Sequence, residues 1–187
     1  MSDDDAALVR RCLDGDEVSM RAFVEKFQGA VFGLCYRMVG QREDAEDVSQ
    51  DVFLRAFRSL HRWDSERPMK PWLLMIAANR CRTALEKRSR QPITSEYVAH
   101  LAADGDLAAS SELGEELELA LDKLREEYRL CFVLFYQQEL GCAEISEIMG
   151  CPLGTVKTWL HRARRELAEH LKRRGVVADG QYELHRI

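Results

Sequence analysis

No run of about eighteen apolar residues, the length a membrane-spanning helix needs, occurs anywhere in this sequence. The opening MSDDDAALVR also has no charged-then-apolar leader pattern. Together these predict a soluble, non-exported, cytoplasmic chain with no membrane insertion. Runs that would suggest strands, internal repeats and low-complexity tracts are likewise missing. Six cysteines are present (Cys12, Cys35, Cys81, Cys131, Cys142, Cys151), but singly spread, with no CxxC pair and no Cys/His cluster at zinc spacing. That argues against a thiol redox enzyme and against a metal site or other cofactor. The thiols are expected to act mostly as small buried hydrophobes in a reducing compartment.

What the chain does contain is helical periodicity, nearly end to end. At 187 residues there is room for one large domain or two small ones. Asp3 to Leu13 reads as a short amphipathic helix with acids in its first turn, ended by Gly15. From Glu17, the apolar positions Met20, Phe23, Val24, Phe27, Val31, Leu34, Cys35 and Met38 describe a long helix to Gly40, weakened by Gly29 and Gly33. Arg42 to Trp63 carries a stripe of Ala45, Val48, Val52, Ala56 and Ser59 flanked by Phe53, Phe57 and Leu60. Glu43, Asp47, Gln50, Asp51 and Arg58 point the other way. A loop follows, and Pro71 suits the first turn of a helix from Trp72 to about Ser89 whose Leu73, Ala77, Cys81 and Leu85 can turn inward.

Residues 1 to 91 are therefore expected to form one helical domain. Residues 92 to 111, rich in Ala, Asp, Ser and Gly without strong period, read as a flexible linker. Residues 112 to 175 form a second small helical domain around the apolar Leu130 to Tyr136, and 176 to 187 a short tail. The fold class is all-α.

Within the second domain, CAEISEIMGCPLGTVKTWLHRARRELAEHL, Cys142 to Leu171, reads as helix, tight turn, helix. Gly150-Cys151-Pro152 interrupts the apolar pattern of Ile145, Ile148 and Met149, because Gly permits the turn and Pro brings no amide hydrogen. In the second helix Val156, Leu160, Ala163, Leu167 and Leu171 share one face. Gly154, Thr155, Thr158, His161, Arg162 and Arg165 stand opposite, with Lys157, Trp159 and Arg164 on the borders. A donor-rich basic helix after a tight turn is the arrangement that enters a DNA major groove.

Net charge is −5, which alone argues against nucleic acid, but the charge is segmented. Residues 55 to 91 carry 10 basic and 3 acidic groups, and 153 to 175 carry 7 and 2, whereas 1 to 54 carry 6 and 12 and 92 to 127 carry 2 and 10. Phosphate contacts would then fall on two separate patches.

Three stretches in one order resemble the extracytoplasmic-function (ECF) sigma factors, the small two-domain class of bacterial sigma factors. AEDVSQDVFLRAF, Ala45 to Phe57, resembles their polymerase-binding helix. PWLLMIAANR, Pro71 to Arg80, resembles their promoter-melting helix, and Glu144 to Leu167 their C-terminal helix-turn-helix. The resemblance implies that Asp47, Gln50 and the neighbouring Asp51 dock on the clamp coiled coil of RNA polymerase core, with the flap as a further contact. It also implies that Asn79 takes part in melting the downstream (minus ten) promoter element, and that the Arg62 to Lys70 loop, including Trp63, captures a base flipped out of it. Arg80, Arg82, Lys87, Arg88 and Arg90 would hold phosphates. Thr155, Lys157, Thr158, Trp159, His161, Arg162 and Arg165 would read the upstream (minus thirty-five) element as duplex. An anti-sigma factor is the usual partner. The chain departs from the family pattern at Ala78, where Arg is frequent, at Thr83, where an acid is common, and at Trp159, where a basic residue is usual. Without the resemblance, the helix-turn-helix would equally suit an ordinary two-domain transcription regulator that binds duplex DNA without polymerase.

Overall fold

The computed structural model describes residues 3–90 and 112–176, so the expected linker and nearly all of the tail lie outside the described residues. Those described form helices and connecting turns, with no strand among them, as an all-α reading requires. Contacts divide the chain into two compact units. One holds the helices before residue 90, and the other holds those after residue 112 except the end of the third of them.

In the first unit α1 spans Asp3–Leu13, α2 Glu17–Val39, α3 Arg42–Ser59 and α4 Met69–Ser89. Asp16 starts α2 by accepting the Val18 N–H at 3.1 Å, and Gly40, at a φ of 80° that only glycine adopts without strain, ends it by donating to the Tyr36 carbonyl at 2.9 Å. The helix runs unbroken through Gly29 and Gly33. Its buried face of Phe23, Phe27, Val31, Leu34, Cys35 and Met38 supplies the packing that their low propensity withholds. Phe23 lies at the centre, with ring centroids of Phe27, Phe57 and Phe53 at 5.0, 5.5 and 6.4 Å. Such a side chain contributes about 1.5 to 3 kcal/mol when fully buried. The expected helix from Arg42 to Trp63 ends earlier, at Ser59, and tightens into a 3-10 turn over Leu60–Arg62. Helix α4 starts three residues before the expected Trp72, so Pro71 sits inside its first turn, where an amide hydrogen has no intrahelical partner.

In the second unit α5 spans Glu112–Asp122, α6 Glu126–Phe132, α7 Cys142–Met149 and α8 Leu153–Arg173. The apolar run from Leu130 is the expected buried centre in part. Leu130, Cys131, Val133 and Leu134 are buried, but the chain widens into a π turn at Val133–Gln137 that leaves Tyr136 exposed. Ala120, Leu121, Leu124 and Tyr128 pack with Ala163 and Leu167 of α8 into one cluster. Glu144 reaches back to the Gly141 N–H at 2.8 Å, capping α7. The turn into α8 is held from both sides. Ser146 Oγ donates to the Cys151 carbonyl at 2.5 Å, the Cys151 N–H returns to the Ser146 carbonyl at 3.2 Å, and Gly150 takes a φ of 63°. Cys12, Cys35, Cys81 and Cys131 are buried, as expected of small hydrophobes, while Cys142 and Cys151 are half-buried. No helix among the described residues is long and apolar enough to cross a membrane.

Candidate nucleic-acid interface and docking face

Helix α8 divides its residues as the spacing predicts. Val156, Leu160, Ala163 and Leu167 are buried, and so is His170 one turn on. Lys157, Thr158, His161, Arg162 and Arg165 are exposed on the other side, with Thr155 half-buried near the start. Thr158 Oγ1 turns back to the Gly154 carbonyl at 2.8 Å. Arg165 lies 3.7 Å from Glu169, a loose solvent-exposed pair that leaves its guanidinium available. Arg162 is held more firmly, donating through Nη1 to the Tyr128 hydroxyl at 3.0 Å. Trp159 packs against the cluster beneath α8, so most of its ring serves the core and only a part faces outward. Arg164, on the border, lies 5.7 Å from the centroid of the Tyr136 ring.

Helix α3 presents Asp47 and Gln50 to solvent. Asp51, expected beside them on the docking face, is already paired within the chain. Its carboxylate accepts both contacts from Arg55 Nε at 3.1 Å and pairs with Arg80 Nε of α4 at 2.5 Å. Desolvation works against its charge, but the Arg55 hydrogen bonds and the Arg80 charge outweigh it and hold the carboxyl below its ordinary value. Arg80, expected to hold phosphate, thus has an intramolecular partner in Asp51. Sequence reasoning passed over Leu54, which is 57% exposed one turn beyond Gln50. The signal was present in the helical period, since residues four apart share a face.

On α4, Asn79 is exposed, its Oδ1 accepting weakly from Arg82 Nη1 at 3.4 Å. Arg62 and Lys87 are exposed and Lys70 is half-buried. Trp63 is half-buried, and its Nε1 is buried with no hydrogen-bond partner among the described residues. Arg88, expected to hold phosphate, also donates to the Val39 carbonyl at 3.0 Å and satisfies the open end of α2. The basic residues from Arg62 to Arg90 thus separate into those that tie helices together, Arg80 and Arg88, and those on the surface, Arg62, Lys87 and Arg90.

These two surfaces lie in the stretches that match known families. Residues 23–91 match the model for Sigma-70 region 2, and residues 114–167 that for Sigma-70 region 4. The ECF RNA polymerase sigma factor SigW of Bacillus subtilis (strain 168) is 32% identical over 177 residues, which cover 88% of this chain and 95% of that one. The ECF RNA polymerase sigma-E factor of Haemophilus influenzae is 30% identical over 181 residues, covering 90% and 95%. In fold, the chain is similar to the sigma factor RpoE of Bartonella quintana, solved in complex with the anti-sigma factor NepR. The TM-score is 0.70 at 24% identity, over 81% of this chain and 96% of that one. The chain belongs to the ECF sigma factors. Its function is accordingly that of a sigma factor in transcription initiation, and the alternative of an ordinary two-domain regulator is set aside.

Proposed function

We propose that the two units divide promoter recognition between them, with boundaries at residues 1–91 and 112–175. Asp47, Gln50 and the adjoining Leu54 dock on the clamp coiled coil of core polymerase, while Asp51 and Arg80 hold that face in place. Helix α8 enters the major groove of the upstream element, with Lys157, Thr158, His161, Arg162 and Arg165 reaching bases and phosphates and Trp159 contributing its outer edge. Asn79, Arg82, Lys87 and the Arg62 to Lys70 loop receive the downstream element as single strand. Duplex reading needs a helix in a groove, where a bidentate side chain discriminates by about 1 to 3 kcal/mol. Strand capture needs pockets and stacking, worth about 1 to 3 kcal/mol per base.

The observation that carries the reading is the state of α8. Val156, Leu160, Ala163 and Leu167 of its apolar stripe are buried and Leu171 half-buried, while the opposite face keeps five polar and basic side chains in solvent. In this reading the chain performs no catalysis, acts in the cytoplasm beside polymerase, contacts the flap through its second unit, and is held inactive by an anti-sigma factor, as RpoE is bound by NepR. Reconstituted transcription tests it. Core polymerase with this chain should initiate from promoters selected out of a randomised pool, and neither component alone should. Duplex binding by the chain with no polymerase-dependent initiation on any selected promoter would overturn it.

A further inference from the structure

Tyr128 is an unusual residue to find under a DNA-facing helix. Its ring is 3% exposed and packs in the cluster with Ala120, Leu121, Leu124, Ala163 and Leu167, so α6 fixes its position. Its hydroxyl nevertheless reaches α8 and accepts from Arg162 Nη1 at 3.0 Å. Arg125 lies on the ring, its guanidinium carbon 5.4 Å from the centroid, so the aromatic body is clamped between the core and a cation. Arg162 itself is exposed on the polar face, one turn from Thr158 and adjacent to Arg165 in helical projection.

An exposed arginine normally samples many rotamers, and reading a base edge through two parallel hydrogen bonds requires one of them. A guanidinium has five N–H donors in a rigid fork, and the bond to Tyr128 uses only one. The remaining donors stay in a plane whose direction is set by a group anchored in the core. We infer that Tyr128 is a positioning residue for specificity: it pre-orients Arg162 so that this arginine discriminates a base in the upstream element rather than serving as an untargeted phosphate contact. This rests on the reading that α8 enters the major groove. A plain staple between α6 and α8 would also use the bond, but it would affect stability alone and would leave base preference unchanged.

The test uses holoenzyme assembled from core polymerase and the full chain, transcribing a promoter library randomised across the upstream element. Wild type, Tyr128→Phe, Arg162→Ala and the double variant are compared. Relative preference at each base is read, so a lower fraction of folded Tyr128→Phe changes total output but not the profile. Arg162→Ala should flatten preference at one or two positions. Tyr128→Phe should reduce preference at those same positions by about three- to tenfold, and should have no further effect there once Arg162 is gone. If Arg162→Ala flattens those positions and Tyr128→Phe leaves them intact, or lowers output on all sequences alike, the inference fails while the α8 reading stands. If Arg162→Ala alters no position, Arg162 reads no base and the inference fails, whereas the α8 reading fails only if alanine at Lys157, Thr158, His161 and Arg165 also leaves upstream-element preference and binding unchanged.

Discussion

The α3–α4 surface of the first unit and the α8 surface of the second are both rich in cations, yet they treat them differently. In the first, Arg55 and Arg80 converge on Asp51, and Arg88 closes the end of α2. In the second, Arg165 has only a loose exposed pair and Arg162 a neutral hydroxyl. Charge segmentation along the sequence cannot distinguish these cases, because it counts basic residues without their partners. A basic patch neutralised from within mainly builds shape, whereas one left in solvent is poised to release counterions from DNA phosphates. The first unit should therefore act through a few exposed groups, Asp47, Gln50 and Asn79, and the second through a whole face.

The largest effect should come from the docking face. Asp47→Ala combined with Gln50→Ala is expected to weaken core-polymerase binding by about ten- to hundredfold, the scale of an interface hot spot. Leu54→Ala should add to it, and the thermal stability of the chain should hardly change because all three side chains are exposed. Wild-type affinity in the double variant, measured by competition for core, would remove α3 from the interface.

Next in size is the contrast between duplex reading and strand capture. Arg162→Ala or Arg165→Ala should lower upstream-element affinity about tenfold where the arginine reads a base, and less, but equally on all sequences, where it holds a phosphate. Asn79→Ala should spare closed-complex binding and impair opening several-fold. A template mismatched across the downstream element should relieve the Asn79 defect, since unpairing has already been paid for, and leave the Arg162 defect in place. Permanganate footprints and run-off transcripts on both templates read the difference. Equal rescue of both variants would mean that the two units do not divide the task.

A smaller contrast lies in the response to acid. His170 of α8 is buried, and its desolvation, followed by the nearby Lys123 just past α5 and Arg173, pushes its pKa below the ordinary 6.5. Glu116 of α5 opposes the shift and Arg174 assists it. A depressed histidine stabilises the fold fully above its unfolded value, and that contribution is lost as pH falls through the folded value. The second unit should thus weaken as pH falls below the ordinary 6.5 toward the lowered folded value, with a slope no steeper than about 1.4 kcal/mol per pH unit for one proton. His170→Gln should flatten the slope. Trp159, packed on the cluster of that unit, can report it once Trp63 and Trp72 are replaced by Phe. An unchanged slope in His170→Gln would exclude this histidine as its source.

The helices themselves were legible because each carries an apolar stripe at helical spacing, and the helix-turn-helix because Gly150 and Pro152 break one stripe and α8 begins another. Five features were not. Ser49 and His170 are polar residues on buried faces. The first escapes a simple hydropathy reading because it bonds the Ala45 carbonyl of its own helix, and the second lies at the end of the buried α8 stripe. The π turn after Phe132 is hidden in an unbroken apolar run, where no period exists to shift. The Asp51–Arg80 and Arg88–Val39 contacts join helices distant in sequence, so no local pattern encodes them. At the site, exposure of Asp47, Gln50, Asn79 and the α8 face follows from the stripes, but which cations remain unpartnered follows only from tertiary packing.

The smallest expected effect, and the one that bears most directly on the contrast between the two surfaces, belongs to the Asp51–Arg80 pair. Both side chains are partly exposed, 35% and 27%, so water screens their attraction and a coupling of about 0.2 to 1 kcal/mol is expected from a double-mutant cycle of Asp51→Asn and Arg80→Gln. Arg55 stays on Asp51 when Arg80 is removed, so Arg80→Gln should cost less than Asp51→Asn, which leaves two guanidinium groups facing one another. The carboxyl is held below its ordinary 3.8, so its contribution is complete above that pH and disappears as pH falls further through the lowered folded value. Urea unfolding of the four proteins at pH 7 and again near pH 3 should show the coupling at the first and its decline at the second. If Asp51 and Arg80 serve only to hold α3 against α4, each single variant should lower core binding no more than its loss of stability accounts for. A drop in core affinity far beyond that loss, with no coupling between the two positions, would mean that Asp51 leaves Arg80 to contact polymerase directly, and the two surfaces would then differ less than their folded geometry indicates.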